Sequence, residues 1–533
     1  MNLPKGYKIL LAVLSGMSLS FSWLIHGLSP FLLISFIPLL IIEDSLTGRK
    51  SSGTIIFGYS YLAFFIWNLL TTWWIIKATV FGGIMAMVFN SMFMSLVFMF
   101  FHKTKKKTNK SIGYLSLIVY WITFEYLHHD WDLSWTWLTI GNCFAFTPQL
   151  VQWYEYTGVF GGTLWVLIIN ILLFLTIKFY SDNEKIKNKR LIIICSLLII
   201  LPAAFSVYRY ISYSEKKSPV EIEVVQPNID PYNEKFNGMS PADQIAKLLD
   251  LAGKKINSKT EYVIGPETAL PDGYWENNLI QYRDVLSIKN FVKEHPQVKF
   301  VLGLSSFKMY PSTEEITPTA RKFENGTGYY DAFNSAMQID TTNYIPIYHK
   351  SKLVPGVELM PFPAIFKYLD KFAINMGGIA GSLGMQKERS VFTSPNSDYK
   401  IAPIICYESI YGEYVSKYVK NGANFLFIMT NDGWWGDTEG YKQHLNYARL
   451  RAIENRRSIA RSANTGISCF INQRGDLSET TKWWTPDVIK GTLNSNDEIT
   501  FYTKYGDYIG FLSMYLSLFI ILFTLYTNFR RNK

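Results

Sequence analysis

Long apolar blocks dominate both ends of this 533-residue sequence and limit the folds that it can adopt. Up to about Tyr213 the chain reads as a series of such blocks, and another runs from Tyr505 to Asn528. An α-helix needs roughly 20 mainly apolar residues to cross the hydrocarbon core of a bilayer. Candidate spans lie at 7–26, 28–45, 54–76, 79–101, 112–128, 155–179, 191–211 and 505–528. We therefore predict a multi-span α-helical membrane domain with about eight transmembrane helices.

The first block has an alternative interpretation as a cleaved signal peptide, because Lys5 and Lys8 precede it. A signal peptide also requires a cleavage site of small residues after its apolar region. This block has no clean site of that kind, and further apolar blocks follow it at once. A retained membrane span is therefore the favoured interpretation.

The positive charge of the chain indicates membrane topology rather than nucleic-acid binding. The formal net charge is +10. The basic residues gather in alternate loops, at Lys5 and Lys8, Arg49 and Lys50, Lys103 to Lys110, Lys185 to Arg190, and Arg530 to Lys533. Short loops rich in lysine and arginine stay on the cytoplasmic side of a membrane. We therefore expect both termini in the cytoplasm, and the segment after the seventh span on the opposite side.

That segment, 214–504, has the composition of a water-soluble α/β domain. It would separate a seven-helix transmembrane domain, 1–213, from a C-terminal helix and cytoplasmic tail, 505–533. Apolar runs predict strands at 220–229, 261–267, 298–307, 332–339, 401–408, 424–432 and 468–475. Helices are predicted at 241–256, where Ser240 can cap and Pro241 fits the first turn, and at 439–457. Alternating strands and helices favour a layered α/β fold.

Three chemically useful side chains in this domain lie near the ends of predicted strands or in turns. They are Glu267 in "GPETALP", Lys350 in "YHKSKLVPGVE" and Cys406 in "IICYES". A thiol becomes a nucleophile when a base removes its proton, and a cation stabilises both the thiolate and a developing oxyanion. A carboxylate, a lysine and a cysteine brought together would meet these needs without histidine. The seven histidines form no HExxH pair or Cys/His cluster, so we expect no dedicated zinc site.

Each of these residues also has a simpler explanation. A glutamate at a strand end is usually a surface or capping residue, and a lysine in a turn is usually solvated. A lone cysteine such as Cys406 is usually a small apolar core residue. A disulfide between Cys406 and Cys469 is a further alternative, because the expected compartment permits disulfides. Composition and spacing alone leave these alternatives open.

Five motifs in order along the chain resemble the nitrilase (carbon-nitrogen hydrolase) superfamily and, within it, the apolipoprotein N-acyltransferase family. They are "VVQPNID", "GPETALP", "YHKSKLVPGVE", "ICYES" and the long stretch 430–468 beginning "TNDGWWGD". The resemblance extends to the multi-span N-terminal part and the single C-terminal span. It implies an α-β-β-α sandwich for the soluble domain and a location in the bacterial inner (cytoplasmic) membrane, with the catalytic domain on the periplasmic side.

The resemblance also implies roles for individual residues. Glu267 matches the general base of the family, Lys350 its catalytic lysine and Cys406 its nucleophile. Active-site support is implied for Glu358, Tyr407 and Glu408. Phe236 stands nearest to the position where the family usually has a substrate-contacting tryptophan, so an aromatic contact is expected there without an indole hydrogen bond.

The implied activity is a two-step acyl transfer that needs no cofactor or metal. An acyl chain passes from a phospholipid, from the sn-1 position, to Cys406 and then to the N-terminal α-amine of a diacylated apolipoprotein. A membrane-tethered nitrilase-like amidase or hydrolase would use the same residues, whereas a noncatalytic receptor or transporter would not need them together. The unusually apolar segment 356–381 is interpreted as an arm over the active site, with an ordinary packed loop as the alternative.

Overall fold

The computed structural model describes residues 3–49, 51–236, 238–311, 316–324, 326–362 and 382–531. The chain divides into two compact units. One contains Met1–Ile76, Val80–Tyr213 and Tyr505–Lys533, and the other contains Lys77–Thr79 and Ser214–Lys504. Most of the predicted arm, 363–381, lies outside the described residues.

The first unit is helical. Its helices are α1 (Lys5–Leu24), α2 (Leu32–Ser35), α3 (Ile37–Leu46), α4 (Ser52–Thr72), α5 (Val80–Lys107), α6 (Lys110–Leu127), α7 (Tyr154–Ser181), α8 (Lys185–Ser212) and, near the C terminus, α14 (Tyr508–Arg531). Among the described residues, seven helical segments are long and apolar enough to cross a membrane. They are Lys5–Leu24, Ser29–Leu46, Ser52–Lys77, Val80–Lys107, Tyr154–Ser181, Lys185–Ser212 and Tyr508–Arg530. The predicted span at 112–128 is helical as α6 but is not among them.

The polar residues of α6 are satisfied inside the helical unit. Glu125 is buried, and its carboxylate accepts hydrogen bonds from Trp121 Nε1 at 3.0 Å, the Ile140 backbone N–H at 2.8 Å and Thr163 Oγ1 at 2.7 Å. A buried carboxylate is tolerated only when such donors replace its water. Glu125 therefore connects α6 to α7 and to the segment between them, and this explains how a polar residue stands inside an apolar helix.

The second unit contains fourteen strands and five helices among the residues described. The strands are β1 (Pro219–Gln226), β2 (Thr260–Ile264), β3 (Leu270–Trp275), β4 (Lys299–Tyr310), β5 (Arg321–Lys322), β6 (Tyr329–Ile339), β7 (Ile347–His349), β8 (Phe392–Ser394), β9 (Ser397–Ile405), β10 (Phe425–Thr430), β11 (Ser458–Ala463), β12 (Cys469–Ile471), β13 (Leu477–Ser478) and β14 (Asp487–Asn494). The helices are α9 (Pro241–Gly253), α10 (Arg283–Glu294), α11 (Gly412–Lys420), α12 (Glu439–Asn455) and α13 (Phe501–Tyr505). Each predicted strand overlaps an observed one.

The strands form two sheets that pack face to face. In the first sheet, as far as it is described, the order is β14-β1-β2-β4-β6-β5, with β3 beside β4 and β7 beside β6. In the second sheet the order is β13-β12-β11-β10-β9-β8. Helices α9 and α10 cover the outer face of the first sheet, and α11 and α12 lie against the second. These layers confirm the predicted α-β-β-α sandwich, whose apolar core includes Val263, Phe300 and Leu302 beneath α9 and α10.

Parallel strands bring the candidate residues to comparable ends of the two sheets. In the first sheet β2 pairs in parallel with β1 and β4, and the turn after β2 carries Glu267. In the second sheet β10 pairs in parallel with β9 and β11, and Cys406 directly follows β9. Ligands of parallel α/β sheets bind beyond the carboxyl ends of their strands. The topology therefore indicates that the turns after β2 and β9 form a candidate site.

The backbone of the turn that carries Glu267 lies very close to Gly303 in β4, and this leads to one prediction. A Cβ atom added there would lie 2.5 Å from the Thr268 backbone N and 2.8 Å from Glu267 Cα, which is too close for real atoms. Gly303→Ala must therefore displace the turn that carries Glu267, and we expect a loss of about 1–3 kcal/mol in the free energy of unfolding. Thermal unfolding of the purified protein, followed by tryptophan fluorescence, measures this loss.

Gly253→Ala provides the matched control, because a Cβ added at the end of α9 would meet no atom within 4 Å. Alanine is the better helix former, so this variant should unfold at or slightly above the wild-type temperature. Equal unfolding temperatures for the two variants would contradict the steric argument.

Candidate active site

Three of the predicted residues meet in one buried ionic cluster. Lys350 Nζ lies 3.1 Å from Glu267 Oε1 and 2.9 Å from Glu358 Oε1. All three side chains are buried. The residues come from the turn after β2 and from the segment that follows β7. One cation thus connects two carboxylates that are 91 positions apart in the sequence, 267 and 358.

Asn334 of β6 belongs to the same cluster, although it was absent from the prediction. Its Nδ2 donates to Glu267 Oε1 at 2.8 Å and to Glu358 Oε1 at 2.9 Å. Its backbone carbonyl accepts from the Lys350 N–H at 2.8 Å. The amide nitrogen must face the two acids, since an amide oxygen would have no hydrogen to share with carboxylates. The available signal was an amide side chain within the apolar run "AFNSAMQI".

Lys235 also contacts this cluster. Among the described residues, no hydrogen bond connects its neighbour Phe236 to the cluster. Lys235 Nζ is buried and donates to the Glu267 backbone carbonyl at 2.9 Å. Phe236 is 53 % exposed, and its ring stacks on that of Trp434 with the centroids 6.4 Å apart. The aromatic residue predicted for substrate binding therefore lies at the surface beside a second aromatic residue.

The electrostatics of the cluster keep its acid ionised and its lysine charged. Burial alone would raise the pKa of Glu267, but the Lys350 charge and the Asn334 hydrogen bond outweigh burial and lower that pKa. Burial would lower the pKa of Lys350, yet the charges of Glu267 and Glu358 hold it well above its ordinary value. Burial lowers the pKa of Lys235 to about 8, against the opposing charge of Glu267. The resting cluster thus contains a carboxylate base beside a cation.

Cys406 stands where β9 gives way to a 3-10 helix, Cys406–Ile410. Its φ of +48° lies in the left-handed region, which is strained for a residue other than glycine. Thr430 Oγ1 lies 3.3 Å from the sulfur. Burial and, after it, the charge of Glu267 raise the pKa of the thiol, and Lys350 opposes this rise only in part. The resting thiol is therefore protonated.

All four cysteines are free thiols, so the alternative disulfide between Cys406 and Cys469 is not formed. The strained turn is instead held by hydrogen bonds to the Cys406 carbonyl. Ser409 Oγ donates to that oxygen at 2.8 Å, and His444 Nε2 lies 3.1 Å from it. Strained conformations persist only where their surroundings determine them in this way.

A second buried ionic cluster lies behind the Cys406 turn. Asp432 contacts His444 Nδ1 at 3.1 Å and accepts from Arg461 at 2.8 Å. Burial would raise the pKa of Asp432, but the charge of Arg461 and the contact with His444 lower it to about 2. The Asp432 carboxylate also accepts from Thr430 Oγ1 at 2.8 Å, the hydroxyl that contacts the thiol. This cluster was not predicted, because its members come from three separate elements: the 3-10 helix Asp432–Trp435, α12 and β11.

Glu408 connects the Cys406 turn to the segment that carries Lys350. The buried carboxylate accepts from the Ile405 N–H at 2.9 Å and from the Ser351 N–H at 2.7 Å, on the two sides of the site. Tyr348 donates to it at 2.7 Å, and Tyr414 also donates to it. Burial raises the pKa of Glu408, and these donors oppose the rise. Glu408 thus supports the site from beneath.

Tyr407, the other predicted supporting residue, is buried, and its ring packs edge-on against that of Tyr411 at 5.2 Å. No group of three His, Cys, Asp or Glu side chains among the described residues is arranged to hold a metal ion.

Sequence comparisons identify the class of protein that carries this arrangement. The carbon-nitrogen hydrolase family profile matches residues 222–501, which places the α/β unit in that family. The profile of the apolipoprotein N-acyltransferase N-terminal domain matches residues 15–172. The chain belongs to the apolipoprotein N-acyltransferase family, in agreement with the resemblance found in its motifs.

Similar proteins extend over nearly the whole chain. An apolipoprotein N-acyltransferase of Chlorobaculum tepidum is 32% identical over 94% of this chain and 93% of its own length. One from Geobacter metallireducens is 25% identical over 93% of this chain and 91% of its own length. The crystal structure of Saccharomyces cerevisiae Nit3, of the nitrilase superfamily, covers 53% of this chain and 93% of Nit3 at 13% identity, and its TM-score of 0.37 is low.

The buried carboxylate of Glu408 leads to a stability prediction. Glu408→Gln keeps the shape of the side chain but places an NH₂ group where donors now point, so buried N–H or O–H groups lose their acceptor. We expect a loss of about 1–3 kcal/mol in the free energy of unfolding. Chemical unfolding of the purified protein, followed by tryptophan fluorescence, measures it.

The control is Glu413→Gln on α11, since that side chain forms a surface ion pair with Lys417 at 3.6 Å. Exposed pairs of this kind contribute about 0–1 kcal/mol. A loss in Glu408→Gln no larger than in the control would show that the buried carboxylate does not hold the two segments together.

Proposed function

We propose that this protein transfers an acyl chain from a phospholipid to the N-terminal α-amine of the diacylglyceryl-cysteine of apolipoproteins, the last step of lipoprotein maturation. The observation that carries the proposal is the buried Glu267–Lys350 pair, whose charges both act on the Cys406 thiol. The family of the chain and its membrane-capable helices support the choice of lipid substrates.

In the first half-reaction, Glu267 takes the thiol proton of Cys406. The thiolate attacks the sn-1 ester carbonyl of the phospholipid, and Lys350 stabilises the oxyanion of the tetrahedral intermediate. When the intermediate collapses, the carbon–oxygen ester bond breaks and Glu267 gives its proton to the leaving alkoxide. A lysophospholipid departs, and the acyl chain remains on Cys406 as a thioester.

In the second half-reaction, the free α-amine of the lipoprotein attacks the thioester. Glu267 accepts the proton that the nitrogen loses, and Lys350 again faces the oxyanion. Collapse of the intermediate breaks the carbon–sulfur bond, and the proton returns from Glu267 to the Cys406 sulfur. The N-acylated lipoprotein leaves with the enzyme in its starting state, so the cycle needs no further reagent.

Membrane attachment has a physical reason in this scheme. Each CH₂ group of an acyl chain is worth about 0.8 kcal/mol when it is buried in the bilayer. Extraction of either substrate into water would therefore add a large barrier before chemistry begins. A site carried by a membrane protein avoids this step.

The proposed topology follows from charge. With α6 crossing the membrane as one of seven spans before residue 214, both termini and the basic loops lie in the cytoplasm. Residues 1–213 and 505–533 form the membrane domain, and residues 214–504 act on the periplasmic side of the inner membrane. The support is the alternation of basic and nonbasic loops along the sequence. Phe236, beside Trp434, is proposed as an aromatic contact for lipid at the surface.

A membrane-tethered hydrolase is the nearest alternative, because water could resolve the same thioester. The two activities differ in product: an acyl-transferase yields N-acylated peptide, and a hydrolase yields free fatty acid. A noncatalytic receptor would form no thioester at all.

The proposal predicts a covalent intermediate on Cys406. Intact-protein mass spectrometry after incubation with a defined phospholipid should show one added acyl chain, and subsequent diacylated lipopeptide should remove it with formation of N-acylated peptide. Cys406→Ala should lose both the adduct and the product, by at least 1,000-fold, because no nucleophile remains.

Cys469→Ala is the matched control, since Cys469 is also a buried free thiol in this unit. It should retain the adduct and the product. An undiminished adduct in Cys406→Ala would disprove the assignment of the nucleophile, and release of fatty acid without N-acylated peptide would favour the hydrolase.

The lowered pKa of Glu267 predicts the pH dependence of adduct formation. Glu267 works as a base only when it is ionised. On acidification, the rate of adduct formation should therefore begin to fall only when the pH drops below 4.5, the ordinary glutamate pKa. Asn334→Ala removes a donor that lowers this pKa, and the acid limb of the profile should move upward in pH. The rate of thioester formation between pH 3.5 and 8, measured by quenched mass spectrometry, tests the shift.

Asn396→Ala, at an exposed position outside the cluster, should leave the acid limb where it is in the wild type. A merely structural role of Asn334 would lower the rate equally at every pH. An unshifted limb in Asn334→Ala would therefore remove Asn334 from the control of the base.

A further inference from the structure

A cationic cavity lies at one end of the helical unit, and none of the residues that line it takes part in the proposed mechanism. It has a volume of about 380 Å³. Its lining residues come from the connection between α5 and α6 and from the last turns of α14: Lys107, Thr108, Asn109, Phe523, Thr527 and Arg530. Two of these six residues are cations and none is a carboxylate, so the cavity is suited to an anion.

The donors that the lining leaves for a ligand are the Lys107 ammonium, the Arg530 guanidinium and the Asn109 amide, because both threonine hydroxyls already donate to backbone carbonyls. Thr108 Oγ1 and Thr527 Oγ1 donate to the backbone carbonyls of Thr104 and Thr524, at 2.7 and 2.9 Å. Asn109 Oδ1 accepts from the Ile112 N–H at 2.9 Å, so its Nδ2 group is left as a donor. Together with the ammonium and the guanidinium, this amide matches a phosphate group, which has several acceptor oxygens.

The surroundings of the cavity distinguish a lipid from a free anion. Both α5 and α14 are long and apolar enough to cross a membrane. Phe523 contributes an apolar wall, and Leu522, Leu525 and Tyr526 are exposed apolar or aromatic side chains on the same turns of α14. Acyl chains can lie along such a surface while the headgroup reaches the cations at the helix ends.

We propose that this cavity binds the phosphate of an anionic phospholipid headgroup, with the acyl chains of that lipid against α14. Basic pockets between transmembrane helices recognise anionic headgroups through this combination of charge and apolar surface. The site is separate from the one that uses phospholipid as an acyl donor, since it contains no nucleophile from the catalytic cluster. Its occupant would join α14 to the α5–α6 connection.

The test uses the full chain in detergent, titrated with phosphatidylglycerol and observed by native mass spectrometry. Phosphatidylcholine with the same acyl chains and inorganic phosphate are titrated separately. Each cation near a headgroup contributes about fivefold in affinity, so Lys107→Gln with Arg530→Gln should weaken phosphatidylglycerol binding on the order of 25-fold. Lys103→Gln with Lys110→Gln removes the same charge from exposed positions outside the cavity and should change binding by less than about threefold.

Several results would overturn the proposal. Equal losses of phosphatidylglycerol affinity in the two double variants would mean that the lipid is attracted to the basic surface in general and not to this cavity. Equal affinity of the wild type for phosphatidylcholine would remove the anionic headgroup as the ligand, and competition by inorganic phosphate at equal concentration would identify a free-anion site. If the double variant does not purify as a folded protein, Lys107→Gln and Arg530→Gln are measured singly, and the absence of the expected fivefold loss in both would equally disprove the site.

Discussion

The active site depends on one buried cation, Lys350, which is shared by Glu267 and Glu358. Removing three charges from water is costly, and a buried ion pair remains stable only when further hydrogen bonds satisfy its atoms. Asn334 supplies such bonds to both carboxylates, and its backbone also holds the Lys350 N–H. The loss of Lys350 would leave two buried carboxylates without the cation that they share. The cluster that we propose as the machinery of the reaction is therefore also a condition for the local fold.

This arrangement supports the proposal that Cys406 is the nucleophile, although the pKa of its thiol is raised. Transfer of the proton from Cys406 to Glu267 replaces a carboxylate and a thiol with a carboxylic acid and a thiolate, so the net charge of the buried site does not change. Lys350 faces an anion before and after the transfer. The step therefore avoids the desolvation cost of creating a new charge, which is the largest obstacle to ionising a buried group. A histidine base would instead create an ion pair from two neutral groups.

The sequence predicted the layers of the α/β unit, and its motifs contain Glu267, Lys350 and Glu358, which the structure brings together, because strand ends and motifs are local features. It could not predict the partners that surround them. Arg461 lies in β11, a strand whose residues are all buried, yet the run "SIARSA" has little of the apolar pattern that identifies a strand. Its charge is compensated by Asp432, 29 positions earlier in the chain. Asn334 was missed for the same reason, since only the folded sheet shows that it lies between two acids.

The left-handed backbone at Cys406 is held by contacts from two directions. On one side Glu408 accepts from the Ile405 and Ser351 N–H groups and so connects the turn to the Lys350 segment. On the other side His444 reaches the Cys406 carbonyl. A strained turn would relax if either support were absent, because strain of about 1–3 kcal/mol must be offset by surrounding contacts. The Asp432–Arg461 ion pair and the Glu408 carboxylate thus support the same turn. In the proposed mechanism, this support fixes the Cys406 sulfur relative to the base, Glu267.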